Sequence, residues 1–377
     1  MNWSFWENET FFNDIDVCII GSGIVGLSTA YYLKKYNPQL KVVIIERGIL
    51  PSGASTKNAG FACFGSPSEL LDDLKTNSEE NVFSLLGKRF RGLQLLRENL
   101  GEAAIGYIQT GGFEIFGKED TALYNECIDK LDYLNEQIFK TTGIKNCFRK
   151  ADEKISDFGF ANVEHIIEST AEGQVNTGKM MAELLRVVQS SGVIILNATE
   201  VLNFKTTENG VVLNCTNNLE MKAKKILAAT NGFAKQLLPE LDVKPARAQV
   251  LITEPIEDLK LNGVFHYDKG YYYFRNVGNR ILFGGGRNLD FETEETTEFG
   301  LTERVQKRLE EILHTVIIPG IDYKIEQRWS GIMGVGAEKA TILKEISPDI
   351  YCAVRMGGMG VALGMLIGKE AAEMIAL

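Results

Sequence analysis

The chain has 377 residues, more than the ~250–300 that one hydrophobic core usually serves, so two domains are expected. Its formal net charge of -10 and its pI near 5.1 argue against nucleic acid or an anionic membrane surface as the main partner. No uncharged apolar run reaches the ~18 residues of a membrane-spanning helix.

The six cysteines are scattered along the chain, and no two of them form a C-x-x-C pair. This pattern favours reduced thiols in a cytoplasmic protein over disulfides or a metal site. The first 14 residues hold three acids and no base, so they are expected to form an aromatic-rich arm and not a signal peptide.

The first predicted unit is a strand, a glycine loop, a helix and a second strand. Residues 16–20 are an apolar run, residues 24–36 have helical spacing, and residues 41–46 read K-V-V-I-I-E. This order is typical of a parallel sheet. Residues 53–65 then form a loop of small residues that is unlike an ordinary surface loop.

The middle of the chain predicts helices, a strand and a meander. Helical patterns cover residues 81–99 and 120–140, with a strand at 112–117 between them. Asn176 is expected to cap the next helix. A β-meander then follows, with its strands at residues 193–196, 200–205, 211–215 and 225–229.

The last third predicts strands followed by two helices. Residues 246–285 are rich in β-branched and aromatic residues and are expected to form strands. The four glutamates of residues 291–299 are expected in a solvated loop. Residues 305–316 form an amphipathic helix pattern, and residues 361–374 form an apolar one.

The sequence G-S-G-I-V-G at residues 21–26 indicates dinucleotide binding. Gly21 permits a tight turn, Gly23 lets the backbone approach a pyrophosphate, and Gly26 lets the helix pack closely on the strand. Glu46 lies at the end of the second strand, about 20 residues after the glycine loop. At this spacing in the sequence an acid bonds the ribose hydroxyls of the dinucleotide. NAD and FAD both fit this unit, and an empty glycine turn is the plain alternative. Its predicted cofactor residues are Gly21, Gly23, Ile24, Val25, Gly26, Glu46 and Arg47.

Several separate segments resemble the D-amino-acid oxidase and glycine oxidase family of FAD-dependent oxidoreductases. They are D-V-C-I-I-G-S-G-I-V-G, V-I-I-E-R, S-G-A-S-T-K-N-A-G-F, K-I-L-A-A-T-N-G, R-W-S-G-I-M-G and R-M-G-G-M-G-V-A-L-G, in this order. The resemblance spans nearly the whole chain. It implies FAD as the cofactor, because an NAD-dependent dehydrogenase would show the first segment alone.

The resemblance adds cofactor positions beyond the first unit. Glycines before residue 361 open a second helix N-terminus, where backbone donors can face the charge that a reduced flavin develops. Members of this family that bind flavin covalently do so through a cysteine, and no cysteine stands beside Met333. The resemblance therefore implies that the FAD is noncovalent. The added positions are Ser55, Thr56, Ala59, Gly60, Phe61, Val201, Thr230, Gly232, Gly358, Met359, Gly360, Val361 and Ala362.

The expected fold class is α/β. A Rossmann-like, three-layer FAD-binding domain is interleaved with an antiparallel-sheet α+β substrate domain. The first domain is predicted at residues 1–85, 150–240 and 320–377, and the second at 86–149 and 241–319.

The resemblance implies that an amine or amino acid loses a hydride to FAD, leaving an imine that water hydrolyses. The flavin then passes its electrons to oxygen or another acceptor. Tyr271 matches a substrate-side tyrosine, and strand alternation places Tyr273 and Arg275 on its face. For Arg275 a salt bridge is expected, and a contact with substrate is the alternative. Two alternative functions stay open. The enzyme could oxidise a 2-hydroxy acid, or the protein could bind flavin without turnover.

Met333 departs from the family pattern. The motif resembling R-W-S-G-I-M-G carries an arginine at this position in glycine oxidase-like relatives, where it pairs with the substrate carboxylate. A thioether cannot form that pair. The substrate is therefore expected to lack an α-carboxylate, as in relatives that oxidise γ-glutamylputrescine. Otherwise Arg275, Arg247 or Lys57 replaces the missing base.

Overall fold

The computed structural model describes residues 3–376, which form two sheets of eight strands and one of two. The strands are β1 (Ile15–Ile20), β2 (Val42–Ile45), β3 (Phe61–Ala62), β4 (Gly112–Phe116), β5 (Phe148–Lys150), β6 (His165–Ser169), β7 (Gly173–Gln174), β8 (Ile194–Leu196), β9 (Val201–Thr207), β10 (Gly210–Cys215), β11 (Leu219–Ala228), β12 (Lys244–Thr253), β13 (Val264–Tyr267), β14 (Tyr272–Val277), β15 (Arg280–Gly285), β16 (Ile325–Val335), β17 (Ile342–Ser347) and β18 (Ile350–Val354).

The helices pack around these sheets. They are α1 (Phe5–Glu7), α2 (Ile24–Tyr36), α3 (Ala54–Lys57), α4 (Pro67–Leu74), α5 (Glu79–Leu100), α6 (Glu102–Ile105), α7 (Thr121–Asp129), α8 (Leu131–Thr142), α9 (Ile155–Phe158), α10 (Thr177–Ser190), α11 (Glu303–Ile312) and α12 (Gly360–Ala376). In the described part of the chain, no helix has both the length and the apolar character needed to cross a membrane.

The first sheet has the strand order β17-β18-β11-β1-β2-β8, and β18, β11, β1, β2 and β8 run parallel. Helices α2, α5, α10 and α12 cover one face of this sheet. The β9–β10 hairpin extends antiparallel from β11 and covers the other face together with Trp3 and Phe12 of the N-terminal arm. These three layers confirm the predicted Rossmann-like arrangement.

Helices α2 and α12 are packed unusually closely because glycines face the contact. A Cβ at Gly364 would collide with Ile24, and a Cβ at Gly368 would collide with Ser28. The contact advances four residues along both helices, so the helices run parallel and begin on the same side of the core. This arrangement brings the two glycine-rich segments of the sequence together.

The second sheet has the order β16-β12-β15-β14-β13-β4-β6-β5 and is antiparallel except for the β13–β4 pair. One face packs on α11 through the buried rings of Phe265, Phe274 and Phe283. Successive centroids of these rings lie 4.8 and 5.8 Å apart. The other face carries Tyr273 and Trp329 and covers the loop of residues 53–65.

Most predicted elements are confirmed, and three expectations are corrected. Residues 194–196 pair parallel with β2, so they belong to the edge of the first sheet and not to the meander. The helical pattern over 120–140 is broken at Lys130 into α7 and α8. Glu294, expected in a solvated loop, is 1% exposed because it pairs with buried Arg247.

The predicted division into two discontinuous domains stays a prediction. Residues 165–169 pair with β4 and residues 325–335 pair with β12, so both segments belong to the second sheet. Helix α5 packs against α12, with Gly92 at the carbonyl oxygen of Ala362. The chain therefore passes between the two sheets several times.

Candidate active site

The first glycine loop turns tightly from β1 into α2. Gly21 has a φ of 107°, which residues with a side chain rarely adopt. Gly23 is the extended N-cap of α2, and a Cβ at Gly26 would collide with the carbonyl oxygen of Gly21. Ile24 and Val25 are buried as the first residues of the helix. The N–H of Ile24 donates to the hydroxyl oxygen of Ser55 at 2.9 Å, and the dipole of the helix favours a phosphate at this N-terminus.

Glu46 follows β2, and its carboxylate is fully hydrogen-bonded. One oxygen accepts from the N–H and the hydroxyl of Ser22 at 3.0 and 2.8 Å. The other accepts from the N–H of Gly48 at 2.9 Å and the hydroxyl of Ser52 at 3.2 Å. A carboxylate has about four acceptor directions, so a ribose hydroxyl would exchange with a serine hydroxyl here. The ribose contact itself stays a prediction.

A cleft opens beside this loop, with about 790 Å³ of space that includes some open to solvent. Its walls are the first glycine loop, residues 52–55, residues 199–201 and residues 229–237. The guanidinium carbon of Arg47 lies 3.7 Å from the ring centroid of Phe233. The predicted cofactor residues that line the cleft are Gly21, Gly23, Glu46, Arg47, Ser55, Val201 and Thr230.

Asn231 and Phe233 also line this cleft, and neither residue was predicted from the sequence. Asn231 lies inside the quoted A-T-N-G segment, between two residues that were singled out, so its motif could have revealed it. No sequence signal marks Phe233, which stacks on Arg47 only in the folded chain. Gly232 has another reason to be glycine, because a Cβ there would lie 2.5 Å from the carbonyl oxygen of Met333.

The second glycine segment lies next to the end of β16. Gly357 and Gly358 have φ values of 56° and 82°, and α12 begins at Gly360. The N–H of Gly357 donates to the carbonyl oxygen of Gly334 at 2.9 Å. A Cβ at Gly358 would lie 3.3 Å from Sδ of Met333. Of the other residues predicted for this segment, the structure buries Met359, Val361 and Ala362.

The loop of residues 53–65 is held between the two sheets. The indole N–H of Trp329 donates to the carbonyl oxygen of Lys57 at 2.9 Å. The Thr56 hydroxyl donates to the carbonyl oxygen of Pro51, just before the loop, at 2.8 Å. Gly60 has a φ of 73°, and its carbonyl oxygen accepts from the N–H of Val175. The backbone of this loop is therefore fixed before any ligand binds.

Arg275 is one of the groups that fix this loop. Its guanidinium donates to the carbonyl oxygens of Ala59, Val175 and Asn276 and to the side-chain oxygen of Gln174. The salt bridge expected for Arg275 is therefore wrong, because its acceptors are carbonyl groups. A substrate carboxylate would have to displace one of them, and the role of Arg275 in binding substrate stays a prediction.

The two predicted substrate tyrosines differ in position. Tyr271 precedes β14, is 41% exposed, and has its ring centroid 6.2 Å from that of Phe291. Tyr273 lies within β14, and its ring centroid is 5.6 Å from that of Phe61. Burial raises the pKa of Tyr273 to about 12, so its phenol is neutral near pH 7. Tyr273 is thus the tyrosine beside the loop of residues 53–65.

The three bases named as replacements for the missing arginine have different partners. Arg247 donates to both oxygens of buried Glu294, at 2.7 and 3.3 Å. Arg275 is occupied by carbonyl oxygens, as described above. Within residues 3–376, Lys57 has no carboxylate oxygen within 4.0 Å of its Nζ, which lies 5.3 Å from the ring centroid of Phe299. Of these three basic side chains, Lys57 is therefore the one best able to pair with a substrate carboxylate.

Buried acids and a histidine lie close to the same face of the second sheet. Burial raises the pKa of Glu114 to about 7 and that of Glu172 to about 7. Burial also lowers the pKa of His266 to about 4, so this imidazole is neutral near pH 7. None of these three residues was predicted from the sequence as a site residue. The sequence alone does not distinguish a buried acid or histidine from an exposed one.

FAD fits the residues of the cleft and the glycine segments. Thr230 Oγ1 is buried on the cleft and has no hydrogen-bond partner in the described part of the chain, so it can take one from a ligand. A Cβ at Gly21 would lie 2.9 Å from the carbonyl oxygen of Ala229, and a Cβ at Gly23 would lie 3.0 Å from the hydroxyl oxygen of Ser55, so both positions of this loop favour glycine. A parallel sheet with a glycine-opened helix start beside the cleft defines a dinucleotide-binding protein of the Rossmann type.

The family follows from comparison with known proteins. The model of the FAD dependent oxidoreductase family, DAO, matches residues 16–374. The chain therefore belongs to this family; it is an oxidoreductase and binds FAD.

Individual relatives are distant. The chain is 23% identical to the probable oxidoreductase OrdL of Haemophilus influenzae, with 96% of this chain and 82% of the relative covered. It is 24% identical to γ-glutamylputrescine oxidoreductase of Escherichia coli, with 96% and 83% covered. The crystal structure of glycine oxidase from Geobacillus kaustophilus superposes with a TM-score of 0.77 at 22% identity, covering 96% and 94%.

Proposed function

We propose that this enzyme oxidises a primary or secondary amine that carries no α-carboxylate. The observation that carries the proposal is the place of Met333, whose Sδ lies beside Gly358 at the start of α12. In glycine oxidase-like relatives, the matching position holds the carboxylate-binding arginine. An α-amino acid would leave its carboxylate unpaired against this thioether, at a cost of several kcal/mol.

The partners of the neighbouring arginines support the same substrate class. Arg247 is paired with Glu294. The guanidinium of Arg275 donates to the side-chain oxygen of Gln174 and to the carbonyl oxygens of Ala59, Val175 and Asn276. Neither guanidinium is free to pair with a substrate carboxylate. An amino acid is the second candidate substrate, because Lys57 lies under β16 without a carboxylate partner among the described residues.

FAD, when bound, supplies the acceptor for the hydride that leaves the amine-bearing carbon. The contribution of the chain is an apolar wall, formed by Val250, Leu282 and Trp329 of the second sheet together with Phe61 of β3. This wall excludes water and favours an uncharged amine. Tyr273 can donate a hydrogen bond there but cannot remove a proton, because its pKa is about 12. The amine therefore has to lose its ammonium proton to solvent on entry.

The remaining features of the proposal follow from the residues and the relatives. The Escherichia coli relative is named for an amine substrate, γ-glutamylputrescine, which supports amine oxidation. Six cysteines without a disulfide support a cytoplasmic location. We take the FAD to be noncovalent, the electron acceptor to be oxygen or another oxidant, and the named site residues to contact FAD or substrate as predicted.

The test is anaerobic reduction of the purified holoenzyme. The flavin absorbance is followed after mixing with monoamines, polyamine derivatives, α-amino acids of both hands and 2-hydroxy acids. Bleaching by an amine without a carboxylate, and not by the corresponding amino acid, is expected. Bleaching by amino acids or hydroxy acids alone would contradict the proposal. Bleaching by none of them would favour a flavin protein without turnover.

A further inference from the structure

Cys63, Glu172 and His266 meet at the boundary between the two sheets. Cys63 follows β3, Glu172 precedes β7, and His266 lies in β13, so the three residues come from distant parts of the sequence. The thiol sulfur, a carboxylate oxygen and an imidazole nitrogen all lie within 4.8 Å of one another. Thiolate, imidazole and carboxylate are the three ligand types that zinc uses in proteins.

The backbone fixes the carboxylate of Glu172 in a ligand-like orientation. Its Oε1 accepts from the N–H groups of Phe64 and Gly65 at 2.8 and 3.2 Å. Its Oε2 is left facing Nε2 of His266 at 3.9 Å, which is too long for a hydrogen bond. Ligand atoms that share one tetrahedral zinc lie about 3.3–3.8 Å apart, so shifts of under ~1 Å would complete the site.

Nε2 of His266 is an independent sign of a missing ligand. This atom is buried and has no hydrogen-bond partner in the described part of the chain. Buried polar atoms without a partner are uncommon and call for an explanation such as an ion. The ring of Phe61 packs edge-on against the imidazole, with centroids 5.4 Å apart.

We propose that Cys63, Glu172 and His266 bind one Zn²⁺ ion that clamps the loop of residues 53–65 to the second sheet. The thiolate and the carboxylate together neutralise the dication, and the thiol proton that zinc replaces passes to solvent. The nearby guanidinium of Arg89 is already paired with Glu69 at 2.9 Å, so it does not oppose the ion.

The mixed donor set selects the metal. Mg²⁺ and Ca²⁺ prefer oxygen ligands alone, whereas a sulfur, a nitrogen and an oxygen suit zinc. Three protein ligands leave a fourth position for a water molecule. The ion would replace the weak contact between the Cys63 thiol and the carbonyl oxygen of Gly173, which are 4.0 Å apart.

The experiment measures zinc and FAD in parallel in the purified holoenzyme. The protein is incubated with equimolar Zn²⁺, dialysed against zinc-free buffer and analysed by plasma mass spectrometry, with flavin absorbance reporting FAD. Stoichiometric zinc is expected in the natural protein. Cys63→Ser and His266→Gln are expected to lose it, whereas His314→Gln, at an exposed histidine, keeps it.

X-ray absorption at the zinc edge then identifies the ligands of the natural protein. One sulfur at about 2.3 Å and nitrogen or oxygen ligands at about 2.0–2.2 Å are expected. FAD-containing protein that retains no zinc, or a zinc shell without sulfur, would overturn the proposal. The absorption result decides even where a variant fails to fold, and FAD content separates this outcome from failure of the oxidoreductase assignment.

Discussion

Removing the charge of Glu294 is expected to destabilise the protein strongly. Its carboxylate accepts two hydrogen bonds from Arg247, one from Gln249 at 2.8 Å and one from Thr302 at 2.8 Å. In Glu294→Gln an amide N–H₂ would face a guanidinium that is 8% exposed. Breaking a buried pair in this way costs about 3–5 kcal/mol of the free energy of unfolding.

Urea unfolding of the FAD-loaded protein measures this loss, and Glu295→Gln in the same loop is the control. Glu295 pairs with Lys244 at 2.9 Å, but both side chains are about half exposed. Exposed pairs contribute at most about 1 kcal/mol. Equal losses in the two variants would refute the assignment of Arg247 to a structural pair and would return it to the candidates for binding a carboxylate.

Two further predictions concern the glycine loop and a buried acid. Gly26→Ala is expected to abolish FAD retention, because its Cβ would meet the carbonyl oxygen of Gly21. Loss of flavin absorbance measures this effect. Gly178→Ala is the control, because its Cβ would lie 3.4 Å from the nearest neighbouring atom. Burial raises the pKa of Glu114 from 4.5 to about 7, so its protonation stabilises the fold at low pH and this contribution is lost as the pH rises through about 7. Glu114→Gln stays neutral, so its free energy of unfolding should rise relative to that of the natural protein between about pH 5 and about pH 8. Urea unfolding at several pH values measures this. If the difference between the two proteins did not change with pH, the raised pKa of Glu114 would be contradicted.

The sequence predicted the fold well where local patterns and global packing agree. The glycine loop, the capping of α10 by Asn176 and the amphipathic face of α11 all appear in the structure. These features depend on residues close together in the chain. Residues 194–196 were misplaced because a short apolar strand carries no signal for the neighbour with which it pairs.

The site was predictable only in part, because its remaining residues depend on tertiary contacts. Glu294 lies in an acidic run that is typical of a solvated loop, and only its pairing with Arg247 buries it. Arg275 could not be assigned to the carbonyl oxygens of Ala59 and Val175 before the loop of residues 53–65 was placed. Cys63 and His266 are more than half of the chain apart in sequence, so no spacing could join them.

The most direct test of the central claim compares Met333→Arg with Met333→Leu. The ratio of kcat/KM for an amine without a carboxylate to that for the matching α-amino acid is measured for both variants and for the natural enzyme. The arginine should move this ratio toward the amino acid by about tenfold or more, as expected for a charge-assisted pair, while leucine leaves it unchanged. A ratio that arginine does not alter would contradict the view that Met333 faces the substrate.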